Sequence, residues 1–404
     1  MATHGGRWRW GCGGAWVRRL CFVQQSSRRV RSLAKWLPVV GVLAAAIAIG
    51  SACTARAEDA ASPFATVVAL GYTAPLATQE GLGTPIVILD HKSDGHFAAG
   101  TLSVQLHTSL LQAGMRHAVS AVLSLGYRAG VQVVAEGDGT DLYRDGARQR
   151  AQTFRGDSAA LALTATLFPN SRWQAGWEGE RLRARFAPTA DSAADFAPPG
   201  DFTQIEQRLV LRRKGLLGAP EARLTLTLTD GRRGGWREWS LDPAAATHAR
   251  YRKAALRWEQ PRQWSAEQRT EVKLAALGGE RLDLLSGYGV GGFAGREVVA
   301  GYYRNEFRAR RAVVLNAEHE VRFAEDRRLM LLLDAARVNE LATPLQPQPP
   351  PARTLLGMGV GFRYGIRALG GLPVIVRYGQ GLRVPDGSPE GHRRELLVML
   401  AAAF

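Results

Sequence analysis

Cysteine is confined to the start of this 404-residue chain: Cys12, Cys21 and Cys53 are the only three. Nothing beyond Cys53 can be stapled by a disulfide, although exported chains often are. Long apolar runs are equally scarce. One extends from Leu37 to Ala52, "LPVVGVLAAAIAIGSA", and no second follows it, which excludes a transmembrane helix from the remainder. Acidic residues are absent before Glu58, while nine cations (Arg7, Arg9, Arg18, Arg19, Arg28, Arg29, Arg31, Lys35 and Arg56) precede it. Basic stretch, apolar core and the small residues "ARA" before "ED" are the order of a secretory signal cut after Ala57. A membrane anchor is disfavoured, because the run is shorter than the ~20 residues a spanning helix needs. Removing nine cations from a formal charge of +16 leaves +7. That modest surplus lacks the clustered basic face of a nucleic-acid binder.

The leader has two further likenesses. "SRRVRSLAK" (Ser27 to Lys35) resembles a twin-arginine signal with Arg31 in place of the usual aromatic, and "GSAC" ending at Cys53 resembles a lipoprotein cut with Gly50 in the leucine position. The expected division is a targeting segment, 1–57, and one domain, 58–404.

What the remainder has is period-two alternation. In "TLSVQLHT" (Thr101 to Thr108), Leu102, Val104 and Leu106 alternate with polar residues. In "EARLTLTLT", Ala222, Leu224, Leu226 and Leu228 oppose Glu221, Arg223 and threonines. In "LNAEHEVRF", Leu315, Ala317, Val321 and Phe323 oppose Asn316, Glu318, Glu320 and Arg322. Such strands bury their oily side in a soluble sandwich or turn it to lipid around a wet barrel lumen. Loop lengths separate the two. Strands read near 65–72, 84–90, 97–108, 116–127, 129–136, 158–168, 172–186, 203–212, 221–229, 250–259, 267–277, 311–323, 327–337, 354–364, 372–382 and 393–404 are about sixteen in number. Tight connections at 168–172, 324–327 and 367–371 alternate with long ones around 137–157, 187–202, 230–249, 278–310 and 338–353. Short turns on one rim, long loops on the other and an even strand count predict an all-β transmembrane antiparallel barrel of about sixteen strands. The chain ends "RELLVMLAAAF", placing Ala402, Leu400, Val398 and Leu396 on the face of Phe404. This last strand must pair with the first to remove both edges. Its pattern resembles the C-terminal signature that outer-membrane proteins present to their assembly machinery, with Phe404, Leu400 and Val398 as that signal.

The long segment 278–310 exceeds a mere connection. Its "VAGYYRNEFRARRAVVLNAEHEVRF" (Val299 to Phe323) resembles the sixth-loop segment of the BamA/TamA family of outer-membrane barrels, shared with two-partner-secretion transporters. There a Val-Arg-Gly-Tyr or Phe motif, an acidic-aromatic patch and a Leu-Asn-x-Glu strand follow one another. The resemblance implies a loop folded into the lumen, its arginine meeting an aspartate of a Phe-x-Asp-x-Gly wall stretch. "LLLDAARV" (Leu331 to Val338) corresponds to that stretch, with Asp334 as the aspartate. Gly301 and Tyr302 match; Ala300 replaces the arginine and Ala336 the second wall glycine. "LLSGYGVGGFAG" (Leu284 to Gly295) is an alternative copy of the motif, with Ser286 in the arginine position. A dehydrated aspartate without a cation is costly, so Arg304 or Arg308 is expected to reach Asp334; the alternative is an Asp334 facing lumenal water. The lumen-loop motif is Gly301, Tyr302, Arg304, Phe307 and Arg308. Members that insert or translocate proteins carry POTRA repeats ahead of the barrel. Here the barrel is expected within about ten residues of the cut, which describes a relative lacking them.

Other motifs point to no chemistry. "RGDSAAL" (Arg155 to Leu161) contains the Gly-Asp-Ser of a lipase family, but no histidine-aspartate pattern accompanies Ser158. In "EHE" a strand turns His319 away from Glu318 and Glu320, so one metal cannot hold all three. "YGVGGFAG" lacks the lysine and the strand-turn-helix setting of a phosphate loop, and "PLQPQPPPAR" fits a stiff extended loop. Arg181, Arg183 and Arg185 share one face of "ERLRARF"; in a barrel they either solvate the lumen or form an anion-selecting wall. The expectation is a monomeric, non-enzymatic barrel without cofactor or metal, exported to the outer membrane of a Gram-negative cell, where it is a surface antigen. Outer-membrane lipids, the assembly machinery and an unidentified protein client would be its partners. It would assist protein or lipid insertion or translocation; the alternative is a passive diffusion pore with a basic lumen.

Overall fold

The computed structural model describes residues 64–75, 84–97, 100–107, 110–132, 143–144, 147–148, 153–216, 219–235, 249–293, 295, 297–341, 349–366, 372–383 and 393–403. The proposed leader and Phe404 lie outside them. Sixteen long strands form the wall: β1 (Phe64–Pro75), β2 (Thr84–Phe97), β3 (Gly100–His107), β4 (Leu110–Ala118), β5 (Leu123–Gln132), β6 (Phe154–Leu167), β7 (Trp173–Pro188), β8 (Phe202–Leu216), β9 (Ala219–Gly234), β10 (Arg250–Gln263), β11 (Gln268–Glu280), β12 (Phe307–Ala324), β13 (Arg327–Glu340), β14 (Arg353–Ile366), β15 (Leu372–Gly381) and β16 (Arg394–Ala403). Each pairs antiparallel with its sequence neighbours, and β1 pairs with β16 from Val67↔Ala403 to Pro75↔Glu395, so the ring closes. Closure leaves no strand edge to be satisfied by solvent.

The rims differ as the loop parity requires. One carries the short connections 98–99, 119–122, 168–172, 217–218, 264–267, 325–326 and 367–371; the other carries the long ones, except for the two residues 108–109 between β3 and β4. The strands read at 97–108, 116–127 and 129–136 are cut differently here. Residues 119–122 form a turn in which Ser120 Oγ accepts from the Val122 and Leu123 amides. Val119 and Val122 flank it as exposed apolar residues, so alternation alone reads through a turn that has no glycine or proline.

The outer surface is aliphatic at mid-height: Leu161, Leu163, Leu209, Leu211, Leu228, Leu256, Val313, Leu315, Leu329, Leu331, Leu333, Met358 and Val360 all point outward and stay exposed. A contiguous apolar girdle of this kind is stable only against hydrocarbon. Below it, at the short-turn rim, lie Phe168, Trp173, Trp264, Phe323, Phe362 and Tyr364. Arg213, Arg262 and Arg327 stack on Trp173, Trp264 and Tyr364 respectively, 3.9 to 5.4 Å from the ring centres. That is an interfacial aromatic belt.

The arginine stripe of β7 is on the outside, contrary to the expectation that it lines the lumen. Glu180, Leu182, Ala184 and Phe186 line the internal cavity, whereas Arg181, Arg183 and Arg185 are exposed on the opposite face. The sequence motif "ERLRARF" fixes only that arginines and apolar residues lie on opposite faces; here the apolar set is needed inside, where Phe186 packs with Phe154 and Phe202. Among the described residues several of the lumenal charges are paired: Arg128 and Arg208 share Glu178 and Glu180, Arg377 meets Glu318, and Arg328 meets Glu320. His319 points the other way, toward Thr270 at 2.9 Å.

Candidate functional site

The segment between β11 and β12, residues 281–306, folds inward. Its short strand Tyr288–Val290 pairs with the start of β12 (Tyr288↔Ala309, Val290↔Phe307). Leu282, Tyr288, Val290, Val299 and Tyr302 form one buried apolar cluster with Tyr251, Ala255, Leu277, Phe307, Ala312, Val314, Ala336, Val338 and Leu355 of the β10–β14 wall. Alanines on that wall leave the depth into which the loop's larger side chains fit. A polar cavity of about 750 Å³ remains on the other side, lined by residues of β5–β10 and by Ser286 and Glu297 of the loop.

Several polar tethers hold this plug. At its root, the Asp283 carboxylate accepts from the Leu285 and Ser286 amides at 3.0 and 2.8 Å and forms a buried ion pair with Arg233 of β9. Arg233 is also sandwiched by the Phe202 and Tyr251 rings at 5.0 and 4.9 Å, a desolvated setting in which cation–π attraction is strongest. Further along, buried Glu297 pairs with Arg257 of β10. At the tip, the Phe293 amide donates to Glu395 (2.8 Å to Oε2), and Glu395 Oε1 accepts from Thr73 Oγ1 at 2.7 Å. Glu395 and Thr73 sit on β16 and β1, so the loop tip is tied to the strand pair that closes the ring.

The centre of the site is the Gly301–Tyr302 motif against Asp334. Asp334 is 2 % exposed, and its partners are not the expected arginines. The Ala300 amide donates to Asp334 Oδ2 at 2.8 Å, and Asn316 Nδ2 donates to Oδ1 at 2.7 Å and to the Val298 carbonyl at 2.8 Å. Arg304 is exposed, and Arg308 lies opposite Gly289 at the start of β12; neither reaches Asp334. The physical reason is the closeness of the two backbones. Gly301 holds φ +83°, and a Cβ there would run into Gly381 N; a Cβ on Gly357 would strike the Ala300 carbonyl, and one on Gly379 would lie 2.7 Å from Gly301 N. Glycines on both partners let the main chain itself approach the carboxylate. The sequence "GMGVG" (Gly357 to Gly361) with "YGQG" (Tyr378 to Gly381) carries that signal as glycines at alternate positions on one strand face.

A cation is nevertheless present, supplied from a different element. Arg393, immediately before β16, is 2 % exposed; its Nη1 lies 2.7 Å from Glu306 Oε1, and its guanidinium lies 5.4 Å from the Tyr302 ring and 5.8 Å from Phe307. Tyr302 and Phe307 meet edge to face at 5.6 Å. Tyr302 Oη is 2.5 Å from the Arg383 carbonyl and accepts from the Leu356 amide at 3.3 Å; burial raises its pKa above the ordinary phenol value. Of the sequence-derived motif, the structure therefore brings together Gly301, Tyr302, Phe307 and Asp334 and leaves Arg304 aside. Arg393, Glu306 and Glu395 had no motif to mark them.

A ring of sixteen antiparallel strands with the loop before β12 docked on β13–β15 decides the comparison. The fold is that of the CdiB and BamA barrels. CdiB from Acinetobacter baumannii superposes with a TM-score of 0.55 at 13 % identity over 84 % of this chain, and CdiB from Escherichia coli with 0.57 at 15 % over 85 %. BamA from Haemophilus ducreyi lacking POTRA domains 1-3 gives 0.56 at 9 % over 85 %. The match covers 60 % and 63 % of the two CdiB chains and 70 % of that BamA chain. Neither a protein-family model nor a curated protein matches the sequence.

Proposed function

We propose that this chain is an outer-membrane barrel held shut by its lumen loop, which assists the insertion or translocation of protein or lipid without covalent chemistry. The observation that carries this reading is the docking of residues 281–306 onto wall elements spread around the ring: Arg233, Arg257, Asp334, Arg393 and Glu395. A constitutive diffusion pore gains nothing from so many buried polar ties across its own conduit, each of which costs desolvation. A conduit that opens on demand needs them. The alternative of a basic diffusion pore loses its main support, because the β7 arginines lie outside the lumen. The barrel would act as a monomer among outer-membrane lipids, folded there by the assembly machinery, upon a client still to be identified.

Two measurements test this. In planar bilayers the intact protein is expected to be quiet, and deletion of 282–306 to produce steady openings; steady large conductance in the intact protein would make it a pore. In liposomes the intact protein is expected to speed the insertion of an added unfolded small β-barrel. Failure to do so with the loop either present or deleted defeats the assembly reading.

A further inference from the structure

The two interfaces of the outer surface are chemically unequal. The short-turn rim carries the aromatic belt, whereas toward the long-loop rim β7, β9 and β10 set arginines on outward positions. Cross-strand register makes them a patch: Arg181 lies opposite Ile205, Ile205 opposite Arg232, and Arg232 opposite Arg250. Arg183 and Arg185 continue up β7 on the same face, and Arg252 sits two residues from Arg250 on β10. Of the six, Arg250 and Arg252 are engaged by Asp230 at 2.6 and 3.4 Å. Asp157 stands opposite Arg185 and Glu280 opposite Arg252. Six guanidinium groups against three carboxylates leave a net positive surface, and no ion pair engages Arg181, Arg183 or Arg232 among the described residues.

Height places this patch at a lipid interface. From Pro220 to Leu228, β9 rises about 27 Å along its own axis, or about 21 Å vertically at a tilt of about 40°, close to the ~25 Å apolar band of such barrels. Asp230 and Arg232 follow immediately. On β7 the Trp177 ring folds over Gly179, where an added Cβ would lie 2.7 Å from it, and this places an indole on the outer face just below Arg181. Indoles settle at the boundary between hydrocarbon and headgroups.

We infer that the outer face of β7–β10 binds a phosphorylated lipid of the leaflet facing the long loops, its acyl chains against the aliphatic girdle and its phosphates on Arg181, Arg183 and Arg232. Strands are ~4.8 Å apart, so the β7 and β9 arginines stand ~10 Å apart, wider than one phosphate spans. A head group with two phosphates, as on an acylated diglucosamine, satisfies both at once, each guanidinium offering its paired N–H groups to phosphate oxygens. Aliphatic surface directly below the cations excludes a free anion as the natural occupant, since that surface would then be left uncovered. This inference rests on the lipid-facing reading of the outer surface but not on what the lumen loop does.

The test is titration of the full-length protein, in neutral detergent, with a bis-phosphorylated hexa-acyl diglucosamine lipid. Parallel titrations use the same lipid dephosphorylated, phosphatidylglycerol and inorganic phosphate. The intact protein should bind the bis-phosphorylated lipid in preference to the other three. R181A/R183A/R232A should bind it about a hundredfold more weakly, roughly fivefold per arginine, while R181K/R183K/R232K, which keeps the charges but loses the paired N–H groups, should fall between the two. Equal binding of the dephosphorylated lipid or of phosphatidylglycerol, displacement by inorganic phosphate alone, or an unchanged affinity in the triple alanine variant overturns the inference. Heat-modifiable gel mobility reports whether each variant is folded; if the triple alanine variant is not, single R181A and R232A replacements, each about fivefold weaker, decide the matter. Loss of lipid binding with bilayer conductance unchanged separates this site from the lumen plug.

Discussion

Replacing Arg393 with methionine should unlatch the lumen loop. Arg393 and Glu306 form an ion pair in which the side chains are 2 % and 0 % exposed. Removing one partner of such a pair strands the other charge, at a cost of about 3–5 kcal/mol. The guanidinium also sits over Tyr302 and Phe307, and methionine keeps much of that packing but not its cation–π part. Because Glu306 belongs to the loop and regains water when the loop leaves the wall, most of the penalty falls on the docked state. At ~1.4 kcal/mol per tenfold, the undocked population should rise by roughly two to three and a half powers of ten. Single-channel recording reads this as the fraction of time spent open. The companion variant R393M/E306Q removes both charges and should return most of the way to the quiet state, since neutralising a whole buried pair is often nearly neutral. The reasoning fails if R393M is as quiet as the intact protein, or if the double variant leaks as much as the single one while both keep heat-modifiable mobility.

Three further outcomes follow from the same geometry. D334N turns an amide toward Asn316 Nδ2 and loosens the Ala300 contact; it should cost about 1–3 kcal/mol of docking and raise open time in single-channel recordings. Ala300→Arg should loosen the plug by about 1–3 kcal/mol through overpacking, because Ala300 is fully buried beside Gly357 and Gly379; a quieter channel would contradict this. Leu331→Arg, in the middle of the outer girdle, should cost about 2–4 kcal/mol in a denaturant titration in liposomes, and Thr227→Arg, facing the cavity, far less.

Alternation and loop parity made the barrel legible, because both are imposed residue by residue: a strand between lipid and water must change polarity every second position, and chain direction then assigns each loop to a rim. The same logic failed at Val119–Val122, where the single hydroxyl of Ser120 holds a turn that has no glycine or proline, and at Arg181–Arg185. Period two separates faces without naming them. The apolar residues of β7 beyond Gly179, Leu182, Ala184 and Phe186, are the ones packed inside against Phe154 and Phe202, so the arginines point out. The site was legible as a motif, Gly301–Tyr302 with Asp334, because its residue types survive in sequence. Its electrostatics were not, since Arg393 comes from the far end of the chain and only closure of the ring brings it to Glu306.

That arrangement has a physical logic. A docked loop needs a buried charge balance and a close backbone fit, and one side chain need not provide both. An arginine at 300 would couple the two, spanning to Asp334 and holding the main chain away from the wall by its own length. With alanine there, Gly301, Gly357, Gly379 and Gly381 allow the backbones to touch, and the Ala300 amide reaches the carboxylate directly. Charge balance then falls to Glu306 and Arg393, the latter next to the first residue of the strand that closes the ring, while Glu395 two residues on holds the loop tip and Thr73 together. In this barrel the latch is thus built from the closing strand itself, so any motion that separates β16 from β1 also pulls on the plug.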